Sequence, residues 1–564
     1  MTVSTFRDRL SGRLPLGTVP KKSQAPTSSG PKILSTRRIL PATPPPPPPP
    51  PSNGPVTKPL SIADATTARF SICGAIWFYE VLPGTQPDAT VLLTHLEQSL
   101  SQALDEYRHF AGQLRWSKPE DASILPGPET LGRPIITYNA PTDPGVDFTL
   151  ASEARTLNSL VPSVEERMGR KKVWHATDFK QDEFLPSCPL AFHPNADLFE
   201  GLPGVSAQVT LFGCSGWAIG VRMTHCLGDA VCLVAFVKAW AERTRSLITG
   251  STGGDGGIIT PRCLFDSALL DQHAGIFANQ PPDDEKIALA RSLPMHRYDW
   301  WDADAPGIPA WARSEALATR PDAQTLAGLR LSPATPPPWT TWDASASVDH
   351  EQIRITADEV RRLKEAAQVG LPEGAFVSRL DALIAHFWMA INRARGLQSL
   401  REEKVYLNVS MGLRSRVEPP LPDTFAGSPL FLGHIGRTGA EVCSSSLGSV
   451  ALELRRMMAV FTPEAVGAYL HDAAHEISPQ RIWQAFLGSR QTGVTSWTKI
   501  GVYEVDFGAG RLQYVQARMP RLDGQLQIMD LGGTGDHEVS LCLEKETMKR
   551  LLGDKIFRAW GADA

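Results

Sequence analysis

Residues Trp217 to Ala230 read WAIGVRMTHCLGDA. Ile219, Val221 and Met223 alternate with their neighbours, the period-two pattern of a strand with one buried face. His225 falls in phase with that row, Gly228 marks a turn, and Asp229 stands where a helix begins, over 230–243. Just upstream, Val209 and Leu211 alternate in the same way, and Gly213-Cys214-Ser215-Gly216 joins the two strands as a hairpin. The phase places His225 at a strand end beside buried apolar side chains. That environment disfavours the imidazolium and leaves a neutral ring able to accept a proton. The His-x-x-x-Asp spacing alone decides nothing, because His193 and Asp197 repeat it around Pro194 in a loop. Taken as isolated residues, His225 reads equally well as a satisfied core histidine, and Asp229 reads first as a helix cap.

Working outward, Leu93, Leu96, Leu100, Leu104 and Tyr107 recur at three- and four-residue steps and predict a helix over 91–108. Gln352 to Ile355 read as a strand, followed by a helix from Ala357. Leu380, Leu383, Ile384, Phe387, Trp388 and Ile391 predict a helix over 376–395, with an apolar face wide enough to lie against a sheet. Between these halves, 249–345 opens Gly-rich and closes Pro-rich and reads as an irregular surface crossover. The expected fold is therefore α/β (α+β) in two domains. The boundaries are 1–57 as a disordered extension, 58–248 as the N-terminal domain, 249–345 as the crossover and 346–564 as the C-terminal domain.

Composition narrows the function. The 564 residues are 42% hydrophobic and 21% charged, an ordinary globular balance. Against 60 Asp+Glu stand 56 Lys+Arg, a net charge of −4, so no overall field draws the chain to nucleic acid. The best apolar run, Val231 to Val237, stops at Lys238, short of the roughly 18–20 residues that span a bilayer. Eight scattered cysteines without a CxxC pair, and no HExxH, argue for a reducing compartment and against a metal site. A cytoplasmic protein is expected. The first 63 residues carry nine Lys+Arg and only Asp8, so their charge is +8 and the remainder sums to −12. Pro44 to Pro51 form an unbroken polyproline run, read as an extended spacer. Two sharper alternatives are an organellar transit peptide over Met1 to Leu16 and an SH3 or WW ligand in the prolines.

Several segments together resemble one family. WAIGVRMTHCLGDA resembles the HxxxD segment of the acyl-CoA-dependent BAHD acyltransferases, and most of all their fungal branch, that of the trichothecene 3-O-acetyltransferases. LEQSLSQALDEYRHFAGQLRW (Leu96 to Trp116), SRLDALIAHFWMAINRAR (Ser378 to Arg395), NVSMGLRSRVEPPLPDTFAGS (Asn408 to Ser428) and VTSWTKIGVYEVDFGAG (Val494 to Gly510) are similar to further family motifs, in family order. The chain departs from the pattern at Ala509, where DFGWG has Trp, and at FAGS (Phe425 to Ser428), where the family has YFGN.

The resemblance implies two chloramphenicol-acetyltransferase-like domains flanking a channel, a soluble monomer, and acyl transfer in secondary metabolism. The donor would be acyl-CoA, acetyl-CoA first, as co-substrate, with no permanently bound cofactor. The acceptor would be a hydroxyl, in preference to an amine, of a terpenoid, alkaloid or polyketide. His225 would be the general base. Thr495 and Trp497 would supply donors to the tetrahedral oxyanion. Asp229 would pair with Arg414 or Arg416 and shape the loop without moving a proton. Asp506, Gly508 and Gly510 would hold a structural turn, and Trp300, Trp301 and Trp311 would wall the channel. Cys226 lies on the opposite strand face and is not expected to be a nucleophile. Two alternatives differ in class. One is a condensation domain, whose HHxxxDG motif is broken here by Thr224 and Ala230. The other is a degenerate scaffold working through the proline arm.

Overall fold

A computed structural model describes residues 30–44, 54–81, 88–125, 131–169, 172–193, 196–250, 263–275 and 281–558. Two sheets organise it. The first has six strands, in the order Lys32–Ile39, Val146–Glu153, Val205–Phe212, Trp217–Met223, Cys73–Glu80 and Arg511–Ala517. Seven strands make the second: Leu430–Thr438, Lys404–Gly412, Gln491–Trp497, Gln525–Asp530, His537–Glu544, Val348–Ile355 and Val173–His175. The expected hairpin is present, with Phe212 N–H donating to the Gly216 carbonyl at 2.9 Å.

Local chemistry starts the main helices where periodicity placed them. Asp229 caps Ala230–Thr249, whose C-terminus turns out through left-handed Gly250. Thr356 with Glu359 and Ser378 with Asp381 form capping boxes for Ala357–Gln368 and Arg379–Ala394. The latter helix is buried along nearly its whole length, in the core of the second sheet.

Each half lends a strand to the other. Arg511–Ala517, from the C-terminal half, pairs antiparallel with Cys73–Glu80, while Val173–His175 pairs with Val348–Ile355. The turn before Arg511 makes the first exchange possible. Gly508 and Gly510 hold φ of +76° and +128°, which glycine adopts at little cost. A Cβ on Gly510 would also lie 2.6 Å from the Glu80 carbonyl oxygen. Three buried donors of the first sheet stitch the segment down. Trp77 Nε1 donates to the Val502 carbonyl (2.9 Å), Tyr79 Oη to Val505 (2.9 Å) and Trp217 Nε1 to Ala509 (2.7 Å).

Three expectations are corrected. Lys32–Ile39, placed within a disordered extension, is an edge strand in register with Val146–Glu153; Arg38 pairs with Asp147, which anchors the strand to its neighbour. Residues 1–29 and 45–53, which carry the transit-peptide reading and most of the polyproline run, lie outside the described residues. The crossover is not irregular throughout. It holds the helices Asp284–Ser292 and Ala310–Thr319, and Tyr298–Asp299 pairs with Ile482–Trp483. Trp300 and Trp301 do not wall a channel. Both are buried in a satellite core with Tyr298, Trp339 and Phe486, against which Trp311 packs, and Trp300 stacks on Trp483 at 3.8 Å.

Candidate active site

After the Trp217–Met223 strand and the single residue Thr224 comes the tight turn His225–Leu227, which brings the chain into the Ala230–Thr249 helix. His225 is half-buried, with Phe70 edge-on to its ring at 5.7 Å. Burial holds the imidazole below its ordinary value; its own backbone carbonyl and the nearby Asp229 oppose that only in part. Nδ1 lies 3.0 Å from Ser428 Oγ. Base catalysis at Nε2 needs the tautomer with its proton on Nδ1, which the Ser428 hydroxyl oxygen is placed to accept at that distance.

Both Asp229 carboxylate oxygens are taken by groups other than His225. One oxygen accepts the Cys232 N–H at 3.0 Å and caps the helix. Both oxygens meet the Arg414 guanidinium, at 2.5 and 3.1 Å, in a two-point ion pair whose side chains are each 8% exposed. Arg414 Nη2 also donates to the Phe425 carbonyl at 2.8 Å, and Asp229 N–H donates to the Gly427 carbonyl at 3.0 Å. The pair therefore ties the His225 turn to the Phe425–Ser428 loop across 185 residues. Arg416 does something else: it donates to the Met458 and Phe461 carbonyls at the end of the Leu447–Ala459 helix.

Thr495 and Trp497 share one face of the Gln491–Trp497 strand, the first half-buried and the second 5% exposed. Although its strand belongs to the second sheet, Trp497 packs in the core of the first, with Cys226, Ala426 and Val502. Asp506 is remote in role. Its Oδ1 accepts Gly508 N–H at 2.8 Å and its Oδ2 meets Arg245 at 3.3 Å, so it holds the turn that delivers Arg511–Ala517. Cys226 is buried and its thiol is pushed well above the ordinary value by that burial, which suits packing and not attack on a thioester.

Sequence reasoning missed three residues here. Asp64, in the Ile62–Thr67 helix, accepts Ser428 N–H at 2.5 Å and Ser61 N–H at 2.8 Å. Burial pushes its carboxyl up to about 6 against the pull of those N–H donors. Gly427 allows the approach, since a Cβ there would sit 3.0 Å from the Asp64 oxygen. Ser428, the third, is fully buried. The spacing Ser61-x-x-Asp64, a capping box, was the one available sign of Asp64.

A family model described as the Transferase family matches residues 38–252 and 304–555. The chain belongs to that family. Its members are the BAHD-type acyltransferases that the motifs resemble. The match begins at the last residues of Lys32–Ile39 and resumes inside the crossover, consistent with ordered structure in both places. Among relatives, an acyltransferase of Alternaria alternata, AFT15-1, is 26% identical over 465 residues, 80% of this chain and 83% of that one. The TRI101 protein of F. graminearum, solved with coenzyme A and deoxynivalenol, superposes with a TM-score of 0.63 at 18% identity, covering 89% of this chain and 98% of that one. Vinorine synthase superposes at 0.57 and 17% identity, over 94% and 98%. These likenesses establish the two-domain BAHD fold. Among the described residues no helix is long and apolar enough to cross a membrane.

Proposed function

We propose that this BAHD protein moves an acyl group, acetyl first, from coenzyme A directly to a hydroxyl of a small metabolite. The observation that carries the reading is His225: a half-buried imidazole whose burial favours the neutral form, with Nδ1 3.0 Å from Ser428 Oγ. The TRI101 protein, solved with coenzyme A and deoxynivalenol together, supports the pairing of coenzyme A with a small acceptor.

In the proposed step, Nε2 takes the acceptor O–H proton as the oxygen attacks the thioester carbonyl. The tetrahedral intermediate places its charge on the former carbonyl oxygen, toward which Thr495 Oγ1–H and the Trp497 indole N–H are the assigned donors. On collapse the C–S bond breaks and the imidazolium returns the proton to the thiolate. No acyl-enzyme forms, in keeping with the raised Cys226 thiol. Base catalysis of this kind contributes about 10²–10⁴-fold. Asp229 and Arg414 keep the turn in shape. The condensation-domain alternative loses ground, because Thr224, where that motif has a first His, is buried with its hydroxyl donating to the Ala191 carbonyl at 2.7 Å.

Calorimetric titration of acetyl-CoA into the full-length protein tests this. One-site binding retained by His225→Ala, with release of free thiol in an alcohol screen lost in that variant, is the expected outcome. Absence of binding at millimolar acetyl-CoA by a folded protein overturns it and favours the scaffold.

A further inference from the structure

The strand end and the turn explain where His225 sits but not what keeps its ring from rotating. A half-buried imidazole has two χ angles and two neutral tautomers, and only the form with a bare Nε2 serves as base. Three contacts, in line, hold the ring and what it touches in place. Ser428 Oγ meets Nδ1 at 3.0 Å. The Ser428 main chain is itself held, its N–H donating to Asp64 Oδ1 at 2.5 Å. Asp64 is locked in turn by a reciprocal cap with Ser61: Ser61 N–H donates to Oδ2 at 2.8 Å and Asp64 N–H to Ser61 Oγ at 3.1 Å.

The helix that carries Asp64 is placed for this. Ile62–Thr67 packs against the His225–Leu227 turn, the Leu430–Thr438 strand and the Pro463–Ala474 helix, and Phe70, just beyond it, lies edge-on to His225. Gly427, at φ +145°, brings the loop within reach of the carboxylate, where a Cβ would have to displace it. Both oxygens of Asp64 take backbone N–H groups, so the arrangement uses the carboxylate as an acceptor.

We propose that Asp64 and Ser428 are positioning residues for His225. The carboxylate fixes the Ser428 main chain, and the Ser428 side chain holds the imidazole with its proton on Nδ1 and Nε2 facing the reacting atoms. The proposal rests on the assignment of His225 as base. It makes a triad-like line, Asp64 to Ser428 to His225, whose first member acts through backbone and not through a proton relay.

The ionisation of Asp64 supports the idea. Its carboxyl is pushed up to about 6 by burial, so acid converts one of its acceptor oxygens to a hydroxyl as pH falls through that value. The groups that face it are Ser61 on its own helix, Asp271 across the Ile62 amide, Cys226 of the turn, Cys232 of the following helix, and Arg414 and Ser428 of the loop. Arg414 is the one cation among these groups, and it is engaged by Asp229.

The test reads the ring itself and needs no acceptor. Full-length protein labelled with 15N in histidine is compared as wild type, Ser428→Ala, Asp64→Asn and the milder Ser61→Ala, with His225→Ala to assign the signal. Wild type should show His225 in the Nδ1–H form, with Nε2 unprotonated at neutral pH. Folded Ser428→Ala should show mixed tautomers, and Asp64→Asn the same mixing; if that variant does not fold, Ser61→Ala, which loosens the carboxylate, should show it to a lesser degree. An unchanged tautomer and titration midpoint in folded Ser428→Ala overturns the side-chain half. The same result in folded Asp64→Asn, or in Ser61→Ala where Asp64→Asn is unfolded, overturns the Asp64 half. Failure of the wild type to bind acetyl-CoA is a separate result and strikes only the acyltransfer reading.

Discussion

Replacing Asp229 with alanine removes two things at once. The Ala230–Thr249 helix loses its cap at the Cys232 amide, worth about 1 kcal/mol. Arg414, with a side chain 8% exposed, keeps its charge and loses its carboxylate. Stranding one member of a buried pair costs about 3–5 kcal/mol. The Phe425 carbonyl still accepts from Arg414 at 2.8 Å, which favours the lower end. The combined loss is about 4 kcal/mol, and at about 2–4 °C per kcal/mol for a domain of some 200 residues the midpoint should drop by about 8–16 °C. Calorimetry on wild type, Asp229→Ala, Arg414→Met and the double variant measures it. The double variant, with no stranded charge, should recover at least about 2 kcal/mol of the summed single losses. Asp229→Asn, which keeps the cap, should lose less than alanine. A midpoint for Asp229→Ala within about 3 °C of wild type, or strictly additive losses in the double variant, would refute the claim that this pair holds the turn to the loop.

Three further outcomes are expected. Transfer activity should rise with pH through a midpoint below 6.5, because burial favours the neutral His225 that accepts the proton. The same shift makes the unfolded chain take up protons first, so stability falls as pH drops below 6.5; an activity midpoint at 7 or above would contradict both signs. Gly220→Ala, in the Trp217–Met223 strand, would drive a Cβ into the Phe184 carbonyl oxygen and should cost about 1–3 kcal/mol or prevent folding, as denaturant titration will show. Arg416→Ala should lose about 1 kcal/mol, from its bonds to the Met458 and Phe461 carbonyls, with acetyl-CoA binding intact. A loss of binding there would mean that Arg416 has a role at the site.

The elements around the site were legible because each is encoded by near neighbours. Alternation over Trp217–Met223 and the cap at Asp229 suffice to place a strand, a turn and a helix, and with them His225. The helices Ala357–Gln368 and Arg379–Ala394 follow from three- and four-residue steps behind a capping residue. Lys32–Ile39 escaped notice for the opposite reason. It is an exposed edge strand beside a proline run, and its alternation is weak because little of it is buried. The crossover tryptophans were misplaced because aromatic content shows that something is covered and not what covers it.

The sequence by itself determined the period of each segment and the likeness of its motifs to BAHD acyltransferases, and with that likeness the residue proposed as base. Only the tertiary structure decided which faces meet. It chose Arg414 over Arg416 for Asp229, 185 residues away. It set Asp64 on Ser428 across 364 residues and Ser428 on His225 across 203. It also sent Arg511–Ala517 into the first sheet and Val173–His175 into the second. Periodicity records which side of an element avoids water, a property of a few consecutive residues. The partner of that side is settled only when whole layers pack, and every buried donor and charge must then find its complement together.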